Sequence, residues 1–180
     1  PPQDDKPFSV QVDGAPSPFG QGFHLLRVGL QGEVIDVAQR KPANLVFLVD
    51  VSGSMEAPDK LPLVQRLLKS LVSKLTDADT LSIVTYSGNE SVLLAPTRVT
   101  DKGRINKAID RLAAGGSTNG EGGIRKAYEL AEQVKLQQQV ESVNRVILCT
   151  DGDFNVGLTG SALISLIEEK REKKITLSTI

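Results

Sequence analysis

One cysteine, one histidine, one methionine and no tryptophan occur in the 180 residues of this chain. A lone Cys149 excludes an internal disulfide, and with His24 as the only imidazole the chain lacks a zinc ligand set. Cys149 stands inside an apolar run, where a buried and inert thiol is expected. Aromatic residues make up only 4% and the net charge is -1, which leaves neither a stacking platform nor a basic face for nucleic acid. No apolar run is long enough to span a bilayer. A serine hydrolase would need a base beside its nucleophile, and His24, read as a strand residue, is a poor one. The glycine-rich stretches are not phosphate loops, because Gly120 is followed by Glu121 instead of lysine and Arg125 stands where a third glycine would fall. The chain starts at Pro1 with no basic-then-apolar leader, so it reads as a processed or trimmed piece of a longer protein.

What is present describes a globular domain: 39% hydrophobic and 24% charged residues, in a length suited to a two- or three-layer core. Five of the nine prolines fall in residues 1–22, which read as an arm or loop beyond the short alternation Phe8 to Val12. Phe23 to Leu30 reads as a strand, with Val34 to Val37 as its hairpin partner across Gly32. Residues 1–42 thus form a leading arm and hairpin, and 43–180 the main domain.

From Asn44 the order is strand, helix, strand, strand, helix, helix, strand, helix, strand, an α/β pattern with a mostly parallel central sheet. The helices are expected near Asp59 to Leu75, after a capping Asp101, from Glu121 to Gln138, and from Gly160 to Lys173. Leu81 to Tyr86 and Ser91 to Leu94 flank Gly88-Asn89, so the second returns as an antiparallel edge strand. The charged run Glu168 to Lys174 reads as a solvated face with its bases in the last helical turn.

The chemistry gathers where the apolar run Leu45-Val46-Phe47-Leu48-Val49 ends in Asp50-Val51-Ser52-Gly53-Ser54. An extended chain delivers residues i, i+2 and i+4 to one side, so one carboxylate and two hydroxyls arrive together. Hard cations such as Mg2+ take oxygen ligands and keep several waters. Alone, Asp50 and Ser52 read equally well as caps of the next turn. Two later segments weigh against that reading: Gly115 to Gly120, a loop containing Thr118, and Val146 to Gly152, a buried-type strand running into Asp151. Asp151-x-Asp153-x-Asn155 also opens like an EF-hand loop, but its glycine arrives late at Gly157 and its twelfth position is Ala162.

With these three segments in this order, residues 43 to 180 resemble the von Willebrand factor type A domain. The family's three-part signature, its metal-ion-dependent adhesion site, matches at Asp50, Ser52, Ser54, Thr118 and Asp151. The lead Pro42 to Asp50 and the segment Thr150 to Gly157 resemble bacterial cell-envelope members, many of them lipoproteins. The resemblance implies a Rossmann-like α/β fold and a non-enzymatic module that captures an Asp or Glu carboxylate of a protein partner at Mg2+, with Mn2+ or Ca2+ as the other cations. Ser52 and Ser54 are implied as direct ligands, Thr118 as direct or water-bridged, and Asp50 and Asp151 as largely water-bridged. It also implies an envelope, periplasmic or surface location, and further C-terminal elements that this chain lacks. Met55, Asn119, Asp153, Phe154 and Asn155 flank the motif and read as loop structure or rim. The competing readings are a cation that only stabilises loops of an envelope complex, and a metal-dependent hydrolase without an obvious general base.

Overall fold

Residues Leu45 to Asp50 are all buried, because the strand they form is covered on both sides, as a near-continuous apolar run requires. The computed structural model describes residues 7–32, 40–116, 120–138, 140–152 and 160–180. The chain falls into two units, Pro1–Arg40 and Lys41–Ile180.

The larger unit carries strands β3 (Ala43–Asp50), β4 (Thr80–Ser87), β5 (Asn89–Arg98), β6 (Val143–Cys149) and β7 (Ile175–Thr179). Its helices are α1 (Leu61–Lys74), α2 (Lys102–Asp110), α3 (Glu121–Gln137) and α4 (Gly160–Glu172). The sheet order is β5-β4-β3-β6-β7. All neighbours run parallel except β5, which returns antiparallel at the edge. This is the mostly parallel, Rossmann-like α/β sheet that the pattern predicts, and each expected element is found within a few residues of its expected limits.

Alternation along β3 separates two cores. Leu45, Phe47 and Val49 pack with Leu68 and Val72 of α1 and with Ile105 and Ile109 of α2. Val46 and Leu48 pack with Ile124, Ala127, Tyr128 and Ala131 of α3, and α4 adds the half-buried Leu163 and Leu166. Pro62 sits in the first turn of α1, where it costs no hydrogen bond. Leu67 belongs to the apolar repeat of that helix but is 49% exposed at the flank of its buried stripe. The Asp101 carboxylate accepts the Arg104 N–H at 2.9 Å and caps α2. Among the described residues no helix is long and apolar enough to cross a membrane.

The leading unit corrects the sequence reading. Residues 8–16 form β1 (Phe8–Pro16), which pairs antiparallel with β2 (His24–Gly32). Among the described residues β2 pairs with β1, and the expected partner Val34 to Val37 lies outside them. The prolines mark the limits of this hairpin instead of preventing it: Pro16 ends β1, and Pro18 lies in the connection closed by Ser17 N–H to the Phe23 carbonyl at 2.9 Å. Register places Val10 opposite Leu30 and Val12 opposite Val28 on one face, with Asp13 and Arg27 ion-paired on the other.

Candidate metal centre

The chain grows outward from β3 to β4 and β5, then crosses to the opposite side for β6 and β7. The carboxyl end of β3 is thus the point where strand order reverses, which is where open α/β sheets form their ligand crevices. Val49 is in register with Cys149 on β6, so Asp50 and Asp151 both emerge just past this edge. Asp50 is also in register with Tyr86 on β4.

Asp50 has no exposed surface. Its Oδ1 accepts the Ser52 N–H at 2.8 Å and its Oδ2 accepts the Tyr86 hydroxyl at 3.1 Å. Two neutral donors from different elements therefore fix the plane of this carboxylate. Burial, opposed by a hydrogen bond with Thr150 and then reinforced by the nearby Asp50 carboxylate, holds the Tyr86 phenol far above its ordinary range. Asp151 adds to the same upward push, so both carboxylates act on one phenol. At working pH Tyr86 is a neutral donor.

After Asp50 the chain turns into a single 3-10 turn, Gly53–Glu56. The Ser52 and Ser54 hydroxyl oxygens stand 3.1 Å apart. Adjacent ligands on a Mg2+ octahedron with bonds near 2.1 Å are separated by about 3 Å, so the pair fits one edge of that octahedron. Ser52 is buried and Ser54 exposed, which opens the site on its serine side. Met55, a candidate rim residue, is instead buried in the core under α1.

The glycine loop is docked against this turn. Gly115 N–H donates to the Val51 carbonyl at 2.7 Å, and Gly53 N–H donates to the Gly116 carbonyl at 3.3 Å. Gly116 has φ +89°, and a Cβ there would run into the Ser87 hydroxyl, so a side chain is disfavoured on two counts. Thr118 follows two residues later and lies outside the described residues, as do Asn119, Asp153, Phe154 and Asn155.

Asp151 is nearly buried, with its side chain 8% exposed, and its Oδ2 accepts from the Lys60 ammonium at 2.8 Å. Lys60 and Tyr86 are the functional neighbours that sequence reading missed. Among the described residues no three His, Cys, Asp or Glu side chains cluster, so a cation at this strand end would have to draw on hydroxyl as much as carboxylate oxygen. That chemistry suits a hard cation and no soft one. Cys149 is buried, and burial pushes its thiol up to about 12, as expected of an inert cysteine.

Comparison with known proteins decides the family. A model described as the von Willebrand factor type A domain matches residues 44–180. The chain belongs to that family. Domains of the type A family generally act as non-catalytic modules of protein–protein interaction and adhesion. The uncharacterized protein YfbK of Escherichia coli K12 is 40% identical over 174 residues, covering 96% of this chain and 30% of that protein. The chain therefore spans about a third of that relative's length. A type A structure from Catenulispora acidiphila superposes with TM-score 0.62 at 17% identity, over 96% of this chain and 39% of that one. An aerotolerance-related membrane protein from Bacteroides fragilis gives 0.57 at 19% identity, over 76% and 66%. At these identities the two structures establish the type A fold.

Proposed function

We propose that this type A domain is a divalent-cation-dependent protein-binding module, with Asp50, Ser52, Ser54, Thr118 and Asp151 holding Mg2+ and a partner's Asp or Glu side chain completing the site. The observation that carries this reading is the pair of serine hydroxyls 3.1 Å apart beside a buried, doubly anchored Asp50. When bound, a cation of this kind supplies an electron-poor centre that accepts a carboxylate oxygen. Asp50 contributes negative charge at a fixed position and orients its surroundings through Ser52 N–H and Tyr86. Ser52 and Ser54 contribute neutral oxygens, which leave more of the cation's charge for an incoming carboxylate. The exposure of Ser54 supplies the side from which a partner approaches. Among the described residues the two carboxylates at this edge, Asp50 and Asp151, already accept from protein donors, which favours binding over general-base hydrolysis. We further place the protein at the cell envelope or surface, on the likeness of Pro42 to Asp50 and Thr150 to Gly157 to envelope members.

Calorimetric titration of Mg2+ and Mn2+ into chelator-treated protein tests this, followed by acetate added to each metal-loaded sample. Binding in the parent that is lost in a Ser52→Ala, Ser54→Ala double variant, with heat from acetate only when metal is present, is the expected result. A parent that is folded and binds neither ion overturns the reading.

A further inference from the structure

Lys60 closes the loop that follows the signature turn and opens α1. Its N–H donates to the Ala57 carbonyl at 2.9 Å, and its own carbonyl accepts the Val64 N–H at 3.0 Å. The main chain is thereby anchored, and the side chain alone reaches 91 residues along the sequence to Asp151, with Nζ to Oδ2 at 2.8 Å. Asp50 is held by an amide and a phenol, both neutral, whereas Asp151 is met by a full positive charge. A nearly buried carboxylate needs such a partner, since leaving it ionised and unpaired in low dielectric is costly. The ammonium thus does at Asp151 what a bound cation would do.

We propose that Lys60 is a tethered competitor for the divalent cation at Asp151, and that it sets both the concentration at which the site loads and its preference for doubly charged ions. This rests on the reading of the five signature residues as a cation site. The lysine charge lies within one hydrogen bond of a carboxylate that the cation also draws on, so loading must either displace the ammonium or accept its repulsion at close range. A monovalent ion gains nothing by the exchange, because it replaces an equal charge that is already tethered in place. A divalent ion brings the second charge that makes displacement favourable. The Lys60 side chain is 36% exposed, so solvent can receive the released ammonium without a further burial cost.

The test is Mn2+ titration of the wild type, Lys60→Met and Lys60→Arg by calorimetry, with circular dichroism to verify folding. Lys60→Met keeps the aliphatic stem and should bind Mn2+ at least about tenfold tighter, while Lys60→Arg stays near wild type. A thermal midpoint that falls in metal-free Lys60→Met and recovers under saturating Mn2+ also supports the proposal. Equal or weaker Mn2+ binding by Lys60→Met overturns it and leaves the cation site standing. Absence of binding by the wild type and both folded variants overturns the site and the proposal together. A measurement on the wild type, with Lys60→Arg used only for assignment, covers the case in which Lys60→Met does not fold. The Lys60 ammonium resonance, assigned by its loss in Lys60→Arg, should lose its exchange protection as Mg2+ is added, and an unchanged resonance at saturating Mg2+ overturns the proposal.

Discussion

Tyr86 and Asp50 face each other across two parallel strands, and the phenol is one of the two donors that hold the buried carboxylate. Tyr86→Phe removes that donor and leaves the buried Asp50 Oδ2 less satisfied. The expected loss of stability is about 1–3 kcal/mol, read from urea unfolding. Because the cost arises through Asp50, it should shrink when Asp50→Ala is already present. Strict additivity of the two changes would show that Tyr86 contributes only as core packing. Four of the signature residues were legible as candidates because each lies in a local motif: Asp50, Ser52 and Ser54 within five positions, and Asp151 two residues past an apolar run. Tyr86 and Lys60 were not, since their roles depend on strand register and on a contact spanning 91 residues. A tyrosine ending an apolar strand, and a lysine opening the helix after the signature turn, were the only hints in the sequence.

The helix that covers the second core is α3, and it approaches the sheet through a residue with no side chain. A Cβ on Gly123 would stand 2.9 Å from the Tyr86 Cβ and 3.0 Å from the Leu48 Cδ1. The Tyr86 Cβ is bonded to its own backbone and cannot rotate away, so Gly123→Ala must push the helix outward. Overpacking of this kind costs about 1–3 kcal/mol, against a helix-propensity gain of about 1 kcal/mol. A net destabilisation of about 1 kcal/mol is expected in denaturant unfolding, and a variant as stable as the parent would show that α3 shifts freely. Helix periodicity revealed the buried stripe Ile124, Ala127, Tyr128 and Ala131, because a 3.6-residue repeat is a property of the segment alone. It did not reveal the close approach at Gly123, which depends on what the opposing strands present. The first strand of the leading hairpin was missed for the converse reason: β1 is a strand by virtue of its pairing with β2, and its proline-rich flanks carried more weight than its alternation.

At the scale of the molecule, both cores bury groups that titrate in alkali. Burial pushes the Cys149 thiol from 9.0 up to about 12 and the Tyr128 phenol from 10.0 up to about 12, and it raises Tyr86 as well. Each is neutral when protonated, and each folded value lies above the unfolded one. The stability they support is therefore complete below about pH 9 and is lost as pH rises from there through about 12. Urea midpoints should be level from pH 7 to 8 and fall steadily from pH 9 upward. Tyr128 separates this linkage from general charge repulsion. Its hydroxyl is buried without a hydrogen-bond partner among the described residues, so removing it exposes no unpaired neighbour. Tyr128→Phe should hold or gain about 1 kcal/mol at neutral pH and should flatten the decline above pH 10. A variant that loses stability at neutral pH would mean the hydroxyl is bonded in solution. A decline above pH 10 as steep as in the parent would mean that this phenol ionises alike in the folded and unfolded states, and that the alkaline loss comes from Cys149 and Tyr86.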